Sequence, residues 1–169
     1  MTPSEVSMIR RILRDAFGSS SAGFTEDDWE HALGGMHFLL ELDGALIGHA
    51  SVVERTLQVA ATPLRTGYVE AVAIAPDRQD AGHGSRLMEA VTSHVRKRFE
   101  LGALGTGRHR FYERLGWLTW AGPTSVRIGS GTRRTADEDG DILVLPTPSS
   151  PRLDLTAPIS CEWRPGDVW

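Results

Sequence analysis

Val69-Glu70-Ala71-Val72-Ala73-Ile74-Ala75-Pro76-Asp77-Arg78-Gln79-Asp80-Ala81-Gly82-His83-Gly84 is the stretch that decides how this chain folds. Its first six residues are apolar apart from one carboxylate and read as the end of a strand over residues 65–74. Gly82 and Gly84 stand directly before a helical pattern, residues 84–98, in which Leu87, Val91 and Val95 recur every four positions beside Ala90. A strand that runs through such a turn into a helix gathers unpaired N–H groups and the positive end of the helix dipole at one point. Phosphate oxygens bind there, and glycines let the backbone approach within contact distance. By itself Gly-x-Gly also serves as a tight packing turn. The third glycine of the dinucleotide pattern is missing, and so is the G-x-x-x-x-G-K-[ST] loop of nucleoside triphosphatases.

Upstream, residues 36–42 and 45–53 read as strands joined by the hairpin signal Asp43-Gly44. Before them lie two helices. The first, 4–17, takes Ser4 as its cap and Gly18 past its end; the second, 25–33, takes Thr25 as its cap and Gly34-Gly35 as its stop. Downstream the pattern gives a strand at 101–104, a short helix at 108–115 ended by Gly116, and a strand opening at Trp117. Residues 128–141 read as a surface loop, 142–145 as a strand, 146–151 as a connector, and 157–169 as a last strand followed by an exposed tail.

The 169 residues suit one domain spanning 1–169, and 40% hydrophobic with 24% charged residues is an ordinary globular composition. A net charge of −4 disfavours nucleic acid and favours a cationic partner. Cys161, the lone cysteine, forms no internal disulfide, and His31, His37, His83 and His94 have no metal-ligand spacing. No stretch approaches the roughly 18 apolar residues of a membrane span and no export signal opens the chain, so a cytoplasmic location is expected.

The strand ending Val69-Glu70-Ala71-Val72-Ala73-Ile74, followed by Pro76-Asp77-Arg78 and Gln79-x-x-Gly82-x-Gly84, resembles the acetyl-CoA motif of the GCN5-related N-acetyltransferase superfamily. Phe111-Tyr112-Glu113-Arg114-Leu115-Gly116-Trp117 resembles its second signature. Further matches, at residues 24–37, Gly67-Tyr68-Val69-Glu70, residues 122–126 and the C-terminal Cys161-Glu162-Trp163-Arg164-Pro165-Gly166-Asp167-Val168-Trp169, are similar to the actinobacterial aminoglycoside 2′-N-acetyltransferases. The resemblance implies an α/β fold of the α+β kind: a mixed, mostly antiparallel sheet flanked by helices, with parallel strands splayed at the acetyl-CoA site. It also implies a homodimer. Two departures stand out: the family's first edge strand has no counterpart before the first helix, and the stretch between Leu104 and Phe111 is shorter.

Direct amine acetylation needs a proton acceptor for the amine, donors for the developing oxyanion and an acid for the departing thiolate. Glu70, a carboxylate in an apolar strand, is either that acceptor, acting through water, or a satisfied structural partner; the resemblance favours the base. Tyr112 is either the acid or a packing aromatic, and the resemblance again favours the catalytic role. By the same resemblance Val72, Ala73, Ile74, Gln79, Asp80, Ala81, Gly82, His83, Gly84 and Ser85 bind acetyl-CoA. Asp28, Glu70, Glu138, Asp167 and the Trp169 carboxylate would hold the amines of an aminoglycoside, with Trp29 and Trp169 as walls. Asp137, Asp139 and Asp141 read as a solvated loop. Two rival readings are an enzyme acetylating another cationic amine and a non-catalytic acetyl-CoA-binding module.

Overall fold

The structure is a computed structural model that describes residues 1–18 and 23–169. In chain order the elements are α1 (Pro3–Phe17), α2 (Glu26–Leu33), β1 (Met36–Leu42), β2 (Ala45–Val59), β3 (Thr62–Ile74), α3 (His83–Arg98), β4 (Leu101–Gly105), α4 (His109–Glu113), β5 (Leu118–Thr119), β6 (Thr124–Ile128), β7 (Gly131–Arg134), β8 (Ile142–Pro146) and β9 (Ile159–Glu162). They form two compact units, residues 1–53 with 69–91 and residues 54–68 with 92–169. The strands β2 and β3 and the helix α3 each contribute to both.

In the first unit α1 starts two residues earlier than its sequence suggests. Thr2, not Ser4, is the cap: its hydroxyl accepts from the Glu5 N–H, and the Glu5 carboxylate accepts from the Thr2 N–H at 2.6 Å. Pro3 explains the shift, because a residue without an N–H fits the first helical position at no cost. The buried face of α1, Ile9, Ile12 and Leu13, packs with Trp29 of α2 and Ala73 of β3. Each such side chain contributes about 1.5 to 3 kcal/mol when fully buried. The second helix has its expected capping box between Thr25 and Asp28.

β1 pairs antiparallel with β2 from Met36↔Val52 to Leu42↔Ala45. Asp43 at φ 52° and Gly44 at φ 75° make the turn, two successive left-handed residues whose twist matches that of the strands. β2 runs to Val59, six residues beyond the apolar run. Glu54-Arg55-Thr56 interrupts the hydrophobicity but not the alternation, since Arg55, Leu57 and Val59 all face inward.

In the second unit the strand order is β5-β8-β4-β3-β2-β9-β6-β7. β3 with β4 and β6 with β9 are parallel; β4 with β8, β5 with β8, β6 with β7 and β2 with β9 are antiparallel. This is the mixed, mostly antiparallel sheet expected. Leu57, Tyr68, Leu101, Trp120, Ile142 and Ile159 belong to its core, as does Trp169.

Two expectations are corrected here. Residues 128–141 are not a plain loop but hold β7 and a 3-10 turn, Ala136–Glu138, because Asp139 anchors the segment. Its carboxylate accepts from the Thr124 N–H at 2.8 Å and pairs with Arg134 at 2.5 Å, which holds its pKa well below the usual range. Nor is the C-terminus an exposed tail, for Trp169 is only 4% exposed. No helix among the described residues is long and apolar enough to cross a membrane.

Candidate active site

In the first unit β3 leads through a 3-10 turn, Pro76–Arg78, into α3. The Gln79 side chain folds back and donates to the Ile74 carbonyl at 3.1 Å, which ties the turn to the strand end. Asp80 (φ 59°) and Gly82 (φ 81°) are left-handed, and Arg86 donates to the Gly82 carbonyl at 3.1 Å to open the helical ladder. The N–H groups of Gly82, His83, Gly84 and Ser85 precede that bond and have no acceptor within the helix. Gly82 is exposed, and no atom lies within 4 Å of where a Cβ would stand on it. The residues read as a pyrophosphate cradle thus form an open helix N-terminus, which suits a diphosphate.

Four residues before the strand ends, Glu70 lies half-buried on β3. The next residue, Ala71, is left-handed at φ 52°, a conformation that an alanine adopts only where its surroundings impose it. Its carbonyl lies 2.8 Å from Nδ1 of His49, whose Nε2 is 2.9 Å from Nδ1 of His37. Burial pushes the His49 pKa down to about 4.

Two residues expected to touch the acceptor make their contacts within this unit. One carboxylate oxygen of Asp28 accepts from both the Thr25 N–H and its hydroxyl, each at 2.8 Å, as the partner of the helix cap. Trp29 is 2% exposed and lies in the core, with the Arg10 guanidinium 5.2 Å above its ring. The expectation that Trp29 forms a wall of the acceptor site is therefore corrected. An indole at the fourth position of α2 falls on that helix's buried face, three residues before Ala32.

In the second unit Tyr112 is carried by the short helix α4, 8% exposed, its ring edge-to-face with Phe111 at 4.8 Å and with Trp117 at 6.4 Å. Burial raises its pKa to about 12, so the phenol keeps its proton at any physiological pH.

The C-terminus brings together residues that are far apart in sequence. Burial raises the Glu138 pKa, with the charges of Asp167, Asp141 and Asp137 adding to the effect. Asp167 accepts from the Trp169 N–H at 3.1 Å, and the indole of Trp169 donates to the Thr135 hydroxyl at 2.9 Å. Its ring packs into the core, which corrects the expectation of a wall here also. Two arginines hold this end. Arg55, 5% exposed, donates to the Glu162 carboxylate at 3.0 Å, to the Glu162 carbonyl at 3.0 Å and to the Val168 carbonyl at 2.9 Å. Arg164 donates to the Asp167 carbonyl at 2.7 Å and to a Trp169 oxygen at 3.1 Å.

Neither Arg55 nor the His37–His49 pair was legible as part of a site. An arginine between Glu54 and Thr56 reads as surface, and a lone histidine in a strand carries no signal. Cys161 is fully buried and its thiol is pushed up to about 11 by that burial, which disqualifies it as a nucleophile. Among the described residues no group of three His, Cys, Asp or Glu side chains is placed to hold a metal ion.

Comparison with known proteins places this arrangement. The acetyltransferase (GNAT) family model matches residues 6–117. An aminoglycoside 2′-N-acetyltransferase of Mycolicibacterium fortuitum is 47% identical over 165 residues, covering 95% of this chain and 83% of that one. Among solved structures, a GNAT family acetyltransferase of Brucella melitensis in complex with acetyl-CoA aligns over 91% of this chain and 90% of its own, with TM-score 0.62 and 18% identity. A GCN5-related N-acetyltransferase of Kribbella flavida aligns over 73% of this chain with TM-score 0.62 and 22% identity; the chain spans about a third, 32%, of that protein. At such identities these two establish the fold alone. The open turn into α3, the mixed sheet and the extended identity converge: the chain belongs to the acetyltransferase (GNAT) family and, within it, to the family of the Mycolicibacterium fortuitum aminoglycoside 2′-N-acetyltransferase.

Proposed function

We propose that this chain, as a single N-acetyltransferase domain spanning 1–169, is an acetyl-CoA-dependent aminoglycoside 2′-N-acetyltransferase. It moves an acetyl group directly onto the 2′-amino group and so confers resistance to the antibiotic. The observation that carries this reading is the 47% identity running through 95% of the chain.

Acetyl-CoA supplies the activated thioester. The N–H groups of residues 82–85, with Gln79, Asp80 and Ala81 shaping the turn, take the pyrophosphate, and the backbone of Val72, Ala73 and Ile74 takes the pantetheine arm. The Val72 N–H donates to the thioester oxygen as negative charge develops there. Glu70 draws a proton from the acceptor amine through water, and Tyr112 gives one to the departing sulfur. Burial that holds the phenol at about 12 keeps it fully protonated, so a proton is in place where the thiolate departs. Asp28, Glu138, Asp167 and the terminal carboxylate of Trp169 bind the remaining ammonium groups; the acids that add to the effect of burial in raising Glu138 support this, since a cationic guest relieves their repulsion. The scheme needs no metal and no covalent enzyme intermediate. The enzyme works in the cytoplasm as a homodimer.

Thiol release from acetyl-CoA tests the reading. It is expected with an aminoglycoside carrying a 2′-amino group and not with its 2′-hydroxy analogue. Equal rates with both, or release only with an unrelated polyamine, would refute the assigned acceptor.

A further inference from the structure

The left-handed Ala71 sits between Glu70 and Val72, the two residues to which the scheme gives a proton and a donor. His49 is fully buried on β2, and Nδ1 of its ring meets the Ala71 carbonyl at 2.8 Å. A carbonyl only accepts, so Nδ1 carries the proton. Burial keeps the ring neutral, which leaves Nε2 as an acceptor for the Nδ1–H of His37 at 2.9 Å. With its proton on Nδ1, the neutral His37 ring has none on Nε2 to give the Leu33 carbonyl 3.4 Å away, so it is held instead by packing: the Trp29 indole lies against both rings, at 6.4 and 6.5 Å between centroids. The pair forms a rigid line from β1 through β2 to the kink of β3.

The peptide bond turns this line into a device. The Ala71 carbonyl and the Val72 N–H belong to one planar trans unit and point in opposite directions. Fixing the carbonyl on His49 therefore fixes the direction of the Val72 N–H. We propose that His49, braced by His37, is a positioning residue for acetyl transfer: it holds the Ala71–Val72 peptide plane and thereby aims the N–H that polarises the thioester. The proposal rests on the role given above to Val72.

Two substitutions separate positioning from mere packing. In His49→Asn the amide nitrogen replaces Nδ1 at the same branch point and can still donate; His49→Leu fills similar space without a donor. His49→Leu should lower kcat roughly 10- to 100-fold, less than the roughly 10²- to 10³-fold for outright loss of one oxyanion donor because the N–H is misaimed rather than removed, with KM for both substrates changed less than about 3-fold. His49→Asn should recover kcat to within about 5-fold of wild type although both variants are less stable. A kcat for His49→Leu within about 3-fold of wild type, or His49→Asn falling as far as His49→Leu, overturns the proposal. Should His49→Leu not fold, nitrogen-15 NMR of the wild-type histidines decides: His49 is expected as the Nδ1–H tautomer from pH 6 to 8, and the Nε2–H tautomer overturns the clamp. Should the wild type prove inactive on aminoglycosides, the acceptor reading fails alone. The ratio of acetyl-CoA to CoA affinity by calorimetry still reads the N–H, and a ratio unchanged in His49→Leu overturns the proposal.

Discussion

Lowering the pH from 7.5 to 5 should destabilise the wild-type protein through His49 and spare the His49→Asn variant that loss. The folded state buries the ring neutral with a pKa of about 4, whereas in the unfolded chain it titrates near the ordinary 6.5. A depressed pKa contributes stability that is fully present above 6.5 and is lost as the pH falls through 4. At about 1.4 kcal/mol per tenfold change in proton affinity, the whole window is worth about 3 kcal/mol and pH 5 removes about 2 kcal/mol of it. Asparagine does not titrate. It should cost about 1 to 3 kcal/mol at pH 7.5, through the lost His37 bond and the space left behind, and the gap to wild type should close as the pH falls. Urea unfolding of both proteins at pH 7.5, 6.5, 5.5 and 5 measures this, with the titrating groups other than His37, which is bonded to His49, cancelling in the difference. A gap that stays constant to within about 0.5 kcal/mol across that range would show that His49 is not buried as a neutral donor, and the reasoning would fail.

Glu70→Gln should lower turnover roughly 10²-fold or more near neutral pH and flatten the rising limb of the pH–rate profile; an unchanged profile removes Glu70 as the base. Tyr112→Phe should cost roughly 10- to 100-fold in kcat with acetyl-CoA affinity preserved, since only the proton donor is lost, and full turnover would assign the ring to packing. Deleting Val168 and Trp169 should abolish aminoglycoside binding and spare CoA binding, both read by calorimetry; unchanged acceptor affinity refutes the terminal site. Arg55→Met, which releases the Val168 carbonyl, should raise KM for the aminoglycoside about 10-fold with that for acetyl-CoA unaltered, and equal effects on both would mean general unfolding.

Several parts of the fold were legible because their causes are local. The Asp43-Gly44 turn needs two left-handed residues, and the Thr25 cap needs an oxygen three residues before an N–H, so neighbours in sequence suffice to name them. The same holds for the entry into α3, where glycines and helical periodicity meet. Errors arose where a distant partner overrode a local reading. Residues 128–141 looked like loop until Asp139 found Thr124, fifteen positions away. The first cap moved from Ser4 to Thr2 because Pro3 claimed the first helical position.

Most of the helices and strands, the glycine turn into α3 and the family itself were determined by the sequence alone, since each rests on hydrogen bonds and glycine conformations spanning a few residues, or on matched motifs. The tertiary structure decided which side chains those elements hold in common. It buried Trp29, drew Glu138 to Asp167, locked the C-terminus onto Arg55 and set His49 against the Ala71 carbonyl. A buried polar group must find its partner wherever packing brings one, and no spacing along the chain encodes that choice.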